Sequence, residues 1–138
     1  MKRDSSDGDF ETQCFFQPLP KIIGDYGAAK GGNILGIDSH EDNVMILLGS
    51  LGLNGVDQEA VGRKKMLAWK DHMEQFTKEV GGFIRYRYMN YADRSQDVIS
   101  SYGDKNVKEA REVAKRYDAD AVFQTRVPGG FKLPDIEV

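Results

Sequence analysis

The stretch DQEAVGRKKMLAWKDHMEQFTKEVGGFIRYRYMNYA, residues 57–92, changes its hydrophobic period once, and that change decides the fold class. In its first part Met66, Trp69, Met73, Phe76 and Val80 recur at spacings of three and four, the stripe of an amphipathic helix over Asp57–Val80. Such a stripe is a core-facing seam, so Trp69 and the methionines are expected in packing. Asn54 or Asp57 can cap the helix, and Gly81-Gly82 ends it. From Phe83 to Ala92 the chain turns aromatic with a period of two, which reads as a strand. Ile84, Tyr86, Tyr88 and Asn90 then share one face, and Arg85, Arg87, Met89 and Tyr91 the other. Both faces mix polar with aromatic groups, unlike a plain half-buried strand, so this segment is a candidate site.

Working outward, a polar turn at Asp93–Asp97 leads through Ser100-Ser101-Tyr102-Gly103 to a second helix over Asp104–Tyr117. Its buried stripe is Val107, Ala110, Ala114 and Tyr117, widened by Val113. Asp118-Ala119-Asp120 breaks it, and Ala121–Thr125 is a last short strand or turn. Toward the N-terminus, Thr12–Gln17 is a short aromatic strand stopped by Pro18 and Pro20. Lys21–Asn43 carries five glycines and reads as a long loop, with Ile34-Leu35-Gly36-Ile37 as a short strand or packed turn. Asn43–Leu51 is apolar on both faces and suits a central strand covered on each side. Residues 1–11 lack periodicity and read as a flexible tail before one domain over 12–138. The order predicts an α+β domain, a mainly antiparallel sheet with two principal helices packed on it.

The composition bounds the function. The 138 residues are 40% hydrophobic and 30% charged, and 19 basic against 22 acidic side chains leave a net charge of -3. No local basic patch overcomes that sign, which argues against a nucleic-acid partner. No apolar run approaches the ~18 residues of a membrane span, and the N-terminus has no apolar core of a secretory signal, so the expected location is cytoplasmic. One cysteine and two histidines make a poor supply of metal ligands, and no metal is expected. Taken singly, Cys14 reads as a small buried hydrophobe between aromatics, His72 as a helix-surface residue and His40 as part of a solvated turn. Arg63, Lys64 and Lys65 read as the outer face of the helix, and Arg85 and Arg87 as a solvated or salt-bridged face.

One set of residues carries a resemblance. Tyr88-Met89-Asn90-Tyr91-Ala92-Asp93, Gln96-Asp97, Ser101-Tyr102-Gly103, Asn106, Arg111, Tyr117-Asp118, Val122-Phe123-Gln124 and Pro128-Gly129-Gly130-Phe131 follow in order. Together with Gln17-Pro18-Leu19-Pro20-Lys21 and Ala28-Ala29-Lys30-Gly31-Gly32-Asn33 they resemble the C-terminal, substrate-side region of fungal FAD-linked oxidoreductases of the berberine bridge enzyme type. The resemblance covers nearly all of residues 12–133. It implies that Tyr88 and Asn90, the tyrosine and asparagine of the Tyr-x-Asn-Tyr segment, line the substrate side of a flavin. Full members of that family are several times longer and hold FAD mainly in an N-terminal domain. That domain's histidine and Cys-and-Gly motifs are not found here, and no glycine-rich phosphate-binding segment follows a strand.

The expected cofactor is therefore none, with FAD only if a partner supplies the missing domain, in which case Tyr88 and Asn90 face it. The favoured expectation is a flavin-independent cyclase or isomerase, a cycloaddition included, acting on a hydrophobic secondary-metabolite intermediate. Tyr88 and Asn90 are its catalytic candidates, Tyr88 as proton donor or acceptor and Asn90 as hydrogen-bond donor to a carbonyl. Ile84, Tyr86, Tyr91 and Tyr102 are the substrate-binding candidates. The alternatives are a truncated or partner-completed FAD-linked oxidoreductase and a non-catalytic binding subunit. Apolar surface once covered by a flavin domain predicts a homodimer.

Overall fold

In the computed structural model, which describes residues 10–134, two strands pair into one antiparallel ribbon: β1, Phe10–Leu19, and β2, Val44–Leu53. Gly52 lies across from Glu11, which sets the register. The helices are α1, Lys21–Ala29; α2, Glu59–Glu79; α3, Asp104–Tyr117; and a single turn, α4, Val122–Thr125. The class is α+β, as the change of period predicts. The described residues fall into two compact units, residues 10–17 with 47–84 and residues 18–46 with 85–134.

The first unit is the ribbon with α2 laid on it. A two-stranded ribbon is marginal in water, and α2 covers it only in part, leaving no strand residue buried. Along β2, Gly49, Leu51 and Leu53 share a face by the period of two, and along α2, Gly62, Met66 and Trp69 share one at four and three. Small meets large across the contact. A Cβ at Gly62 would stand 2.6 Å from Leu51 and 2.8 Å from Leu53, and one at Gly49 would stand 2.5 Å from Met66 and 2.6 Å from the Trp69 ring. The seam is covered only in part, because Phe76 is 54% exposed and Val80 61%.

Several expectations for this unit are corrected. β2 has one neighbour among the described residues and no buried residue along its length, so it is no central strand covered on both sides. Cys14 is exposed, as is every residue of β1 from Glu11 to Pro18. Lys65 does not stand on the outer face of α2: its ammonium lies 5.0 Å from the centre of the Phe10 ring, held by the attraction of a cation to an aromatic face. The strand begins at Phe10, inside the residues read as a tail, and the rest of that tail, residues 1–9, lies outside the described residues.

In the second unit the glycine-rich connection is largely helical. Pro20 stands just before the first turn of α1, where its missing N–H costs nothing, and Asn43 Oδ1 accepts a hydrogen bond from the Lys21 backbone at 2.9 Å. Gly24 does not break the helix. It lets the turn at Ile37–Ser39 approach, for a Cβ there would come within 2.8 Å of the Ile37 carbonyl oxygen. Ile34–Ile37 is accordingly a packed turn with Ile37 buried, and His40, expected in solvent, has its Nε2 enclosed. Asp118 breaks α3 as expected, and its carboxylate then accepts the Val122 and Phe123 amides at 2.8 and 3.0 Å and caps α4, a helical turn where a short strand or turn was expected. Of the α3 stripe only Val107 is buried, and Tyr117 is exposed.

Candidate tyrosine and asparagine site

The segment that carries the candidate residues is not a strand. Residues 83–88 run without strand pairing and Met89–Tyr91 close a 3-10 turn, with the Tyr91 amide donating to the Tyr88 carbonyl at 3.0 Å. Aromatic alternation fits a ladder, yet no third strand stands beside it among the described residues. The turn, and not a shared strand face, brings the pair together. Asn90 Nδ2 donates to the Tyr88 hydroxyl at 2.9 Å. Tyr91, expected on the opposite face, packs edge-on against Tyr88 with ring centres 4.8 Å apart.

Tyr86 reaches the other side of the cluster. Its ring stacks on that of Tyr102, centres 5.9 Å apart, and Tyr102 is 5% exposed. Tyr102 comes from the 3-10 helix Ile99–Tyr102, buried with Val98 and Ser101. Ser101 Oγ ties the two segments by accepting the Arg87 amide at 3.1 Å and donating to the Val98 carbonyl. Asn106, in the first turn of α3, donates to the Tyr102 carbonyl at 2.8 Å. Gly36 closes on the same carbonyl, where a Cβ would stand 2.5 Å from the oxygen.

The electrostatics follow from this crowding. Loss of water, then the neighbouring Tyr102 and Tyr88, push the Tyr86 phenol up to about 12. Burial first and Tyr88 second raise that of Tyr102. The shifts therefore move the loss of either phenol proton to higher pH than usual. The Tyr102 hydroxyl finds no hydrogen-bond partner among the described residues, an orphaned polar atom at the base of the cluster. Tyr88, accepting from Asn90, keeps its own O–H to donate.

Of the sequence candidates, Tyr86, Tyr88, Asn90, Tyr91 and Tyr102 lie in one unit, Tyr88 in contact with Asn90 and Tyr91 and Tyr86 in contact with Tyr102, and the Tyr88 phenol acts electrostatically on both of the latter. Ile84 is 38% exposed and belongs to the other unit. Much of the remaining motif holds backbone in place: Gln96 accepts the Asp93 amide, Arg111 donates to the Pro134 carbonyl, and Gln124 accepts the Leu133 amide. Those residues, with Asn106 and Asp118, are scaffold. Ser101, which joins Arg87 to Tyr102, was legible in the motif but given no role.

Among the described residues, the helix starts offer little to a pyrophosphate such as that of FAD. A pyrophosphate seeks an uncapped, electropositive helix start. The first amide of α1 is taken by Asn43, and α2 and α3 open with Glu59 and Asp104 in their first turns. Among the described residues no cluster of histidine, cysteine, aspartate and glutamate could hold a metal ion, and no helix is long and apolar enough to cross a membrane.

Comparison with known proteins places this geometry in context. The chain is 35% identical over 140 residues to the FAD-dependent monooxygenase drtC of Aspergillus calidoustus, a match covering 100% of this chain and 26% of that protein. It is 30% identical over 126 residues to the FAD-dependent monooxygenase sdcF of Emericella nidulans, covering 91% of the chain and 26% of the relative. It is 27% identical over 117 residues to the bifunctional solanapyrone synthase of Alternaria solani, covering 85% and 22%. The chain thus spans about a quarter of the length of these curated relatives. No protein-family model matches it, and no solved structure does.

Proposed function

We propose that this chain is the substrate-facing segment of a flavin-dependent oxidoreductase of the berberine bridge type, working against FAD held by a portion other than the described residues. The observation that carries this is the Tyr88–Asn90 pair, hydrogen-bonded at 2.9 Å, in one unit with the stacked Tyr86 and Tyr102 rings, whose phenols burial makes harder to ionise. Tyr88 donates to a substrate oxygen, Asn90 holds the Tyr88 hydroxyl in place, and Tyr86 and Tyr102 form an aromatic floor for a hydrophobic substrate. The names of the relatives support the cofactor, and the helix starts described above support its being held elsewhere. The exposed Phe15, Phe16, Phe76 and Val80 favour a covering partner surface. A flavin-bearing portion fits that need better than the homodimer, because it also completes the site.

A second reading rests on the neutral phenols themselves. Donors that need no cofactor can polarise a carbonyl, so a flavin-independent cyclase or isomerase of a hydrophobic biosynthetic intermediate uses the same wall. The experiment is to incubate the purified chain with FAD, desalt it and record the flavin absorbance. A colourless protein is expected on both readings, and retained flavin overturns the assignment of FAD to another portion. Turnover of an intermediate by the colourless chain, lost in Tyr88→Phe, selects the second reading.

A further inference from the structure

The outer edge of β1 carries none of the features that ordinarily keep a further strand away. β1 is ten residues long and β2 is its one neighbour among the described residues, so alternate backbone groups of β1 point outward. Edges of that length are usually guarded by a charge, a proline or a bulge. Thr12–Phe16 holds neither charge nor proline, and β2 behind it, Val44–Leu53, holds neither along its length. Every residue from Glu11 to Pro18 is exposed. Phe15 and Phe16 are consecutive, so their rings stand on opposite faces of the ribbon, and they are 48% and 65% exposed. A helix laid on one face would cover one of these rings and leave the other in water.

We propose that the outer edge of β1 is completed by an extended, uncharged strand of the flavin-bearing portion, paired backbone to backbone over Thr12–Phe16. The inference rests on the reading of this chain as the substrate-facing segment of a flavoprotein. An added strand takes its affinity from main-chain hydrogen bonds, and its alternating side chains reach both faces at once, as two consecutive exposed rings require. The relatives hold the chain to supply it, since about three quarters of their length lies outside the part matched here. The composition of the edge sets the character of the partner. A charged side chain set against Phe15 or Phe16 would lose water and meet no opposite charge on Thr12–Phe16.

Hydrogen exchange reads the pairing directly. Exchange of the β1 peptide is followed by mass spectrometry in the free full chain and in a chimera in which this chain replaces the matching quarter of the Aspergillus calidoustus relative. The outward amides of β1 should exchange at least about a hundredfold more slowly in the chimera, and the matching segment of the unaltered relative should be as slow. Proline then identifies the edge. Gln13 and Cys14 are adjacent, so the amide of one faces β2 and that of the other faces out. Of Gln13→Pro and Cys14→Pro, one should lower the melts of free chain and chimera alike, and the other should lower only that of the chimera. The inference is overturned by β1 amides that exchange as fast in the chimera and the unaltered relative as in the free chain, or by two prolines of equal effect. Protection of β1 through self-association of the free chain also overturns it, for the occupant is then a second copy. Flavin content and the effect of Tyr88→Phe on flavin reduction, measured on the same chimera, report separately on the underlying reading. Slow β1 exchange without a Tyr88→Phe effect leaves the pairing standing and fails that reading, whereas fast β1 exchange with the full effect fails the pairing alone.

Discussion

Gly36→Ala should cost more stability than its backbone angle explains, and the excess measures how tightly the turn before the Ile37–Ser39 helix is wedged against the candidate site. Gly36 has φ +72°, a left-handed conformation in which a Cβ costs about 1–2 kcal/mol. It also faces the Tyr102 carbonyl oxygen, 2.5 Å from the added Cβ, with Asn106 Nδ2 at 3.1 Å. The oxygen is backbone, fixed by the buried 3-10 helix, so it cannot swing away as a side chain would. Overpacking of this kind costs about 1–3 kcal/mol more, for a total near 2–5 kcal/mol. Gly129→Ala is the control within the same unit: φ is +77° and nothing lies within 4 Å of its Cβ, so only the angular cost of about 1–2 kcal/mol applies. Urea unfolding followed by circular dichroism, with the slope held constant, gives both losses. Because Tyr102 must move, Gly36→Ala should also lower the late tyrosine titration, and Gly129→Ala should not. Equal losses in the two variants would refute the wedge.

Further outcomes follow from the same contacts. Of the six tyrosines, Tyr86 should ionise near pH 12, seen as a late step in the tyrosinate absorbance that Tyr86→Phe removes. Its folded pKa lies above the ordinary 10, so the folded state holds that proton more firmly than the unfolded one; stability should be level below pH 10 and fall between 10 and about 12, less steeply in Tyr86→Phe. Asp118→Ala removes the acceptor of two amides at the start of α4 and should lower stability by about 1–2 kcal/mol in a thermal melt, whereas Asp118→Asn should retain most of it. Gly49→Ala drives a methyl into Met66 and the less yielding Trp69 ring and should cost about 1–3 kcal/mol, with a shift in Trp69 emission that identifies the seam.

Periodicity made the long helices legible. α3 runs over the residues its stripe marks, and α2 falls within two residues of its expected start, because spacings of three and four need no partner to be recognised. The α+β class followed from strand and helix patterns of different period, whereas which strands pair was not legible in them. What failed depended on contacts distant in sequence. Gly24 looks like a breaker until the Ile37 carbonyl is beside it, and Pro20 looks like the end of a strand until it is seen to begin a helix. Residues 83–88 have strand composition, but β structure requires a neighbouring strand and none flanks them among the described residues. The site shows the same division. Tyr88 and Asn90 were named as a pair on a strand face and are a pair across a 3-10 turn. Tyr86 and Tyr102 meet because Ser101 binds the Arg87 amide, a contact over fourteen residues that no local pattern announces.

The central claim is that Tyr88 and Asn90 form the substrate wall of a flavin site whose cofactor is held elsewhere. The most direct measurement replaces the matching quarter of the Aspergillus calidoustus relative with this chain, then compares bound flavin and the rate of flavin reduction by that relative's substrate in the chimera and in its Tyr88→Phe and Asn90→Ala forms. The result predicted is full flavin content in all three, with reduction slowed at least about tenfold in both variants, the size expected for losing a positioned proton donor. A chimera that binds flavin and reduces it equally fast with or without the Tyr88 hydroxyl and the Asn90 amide would contradict it.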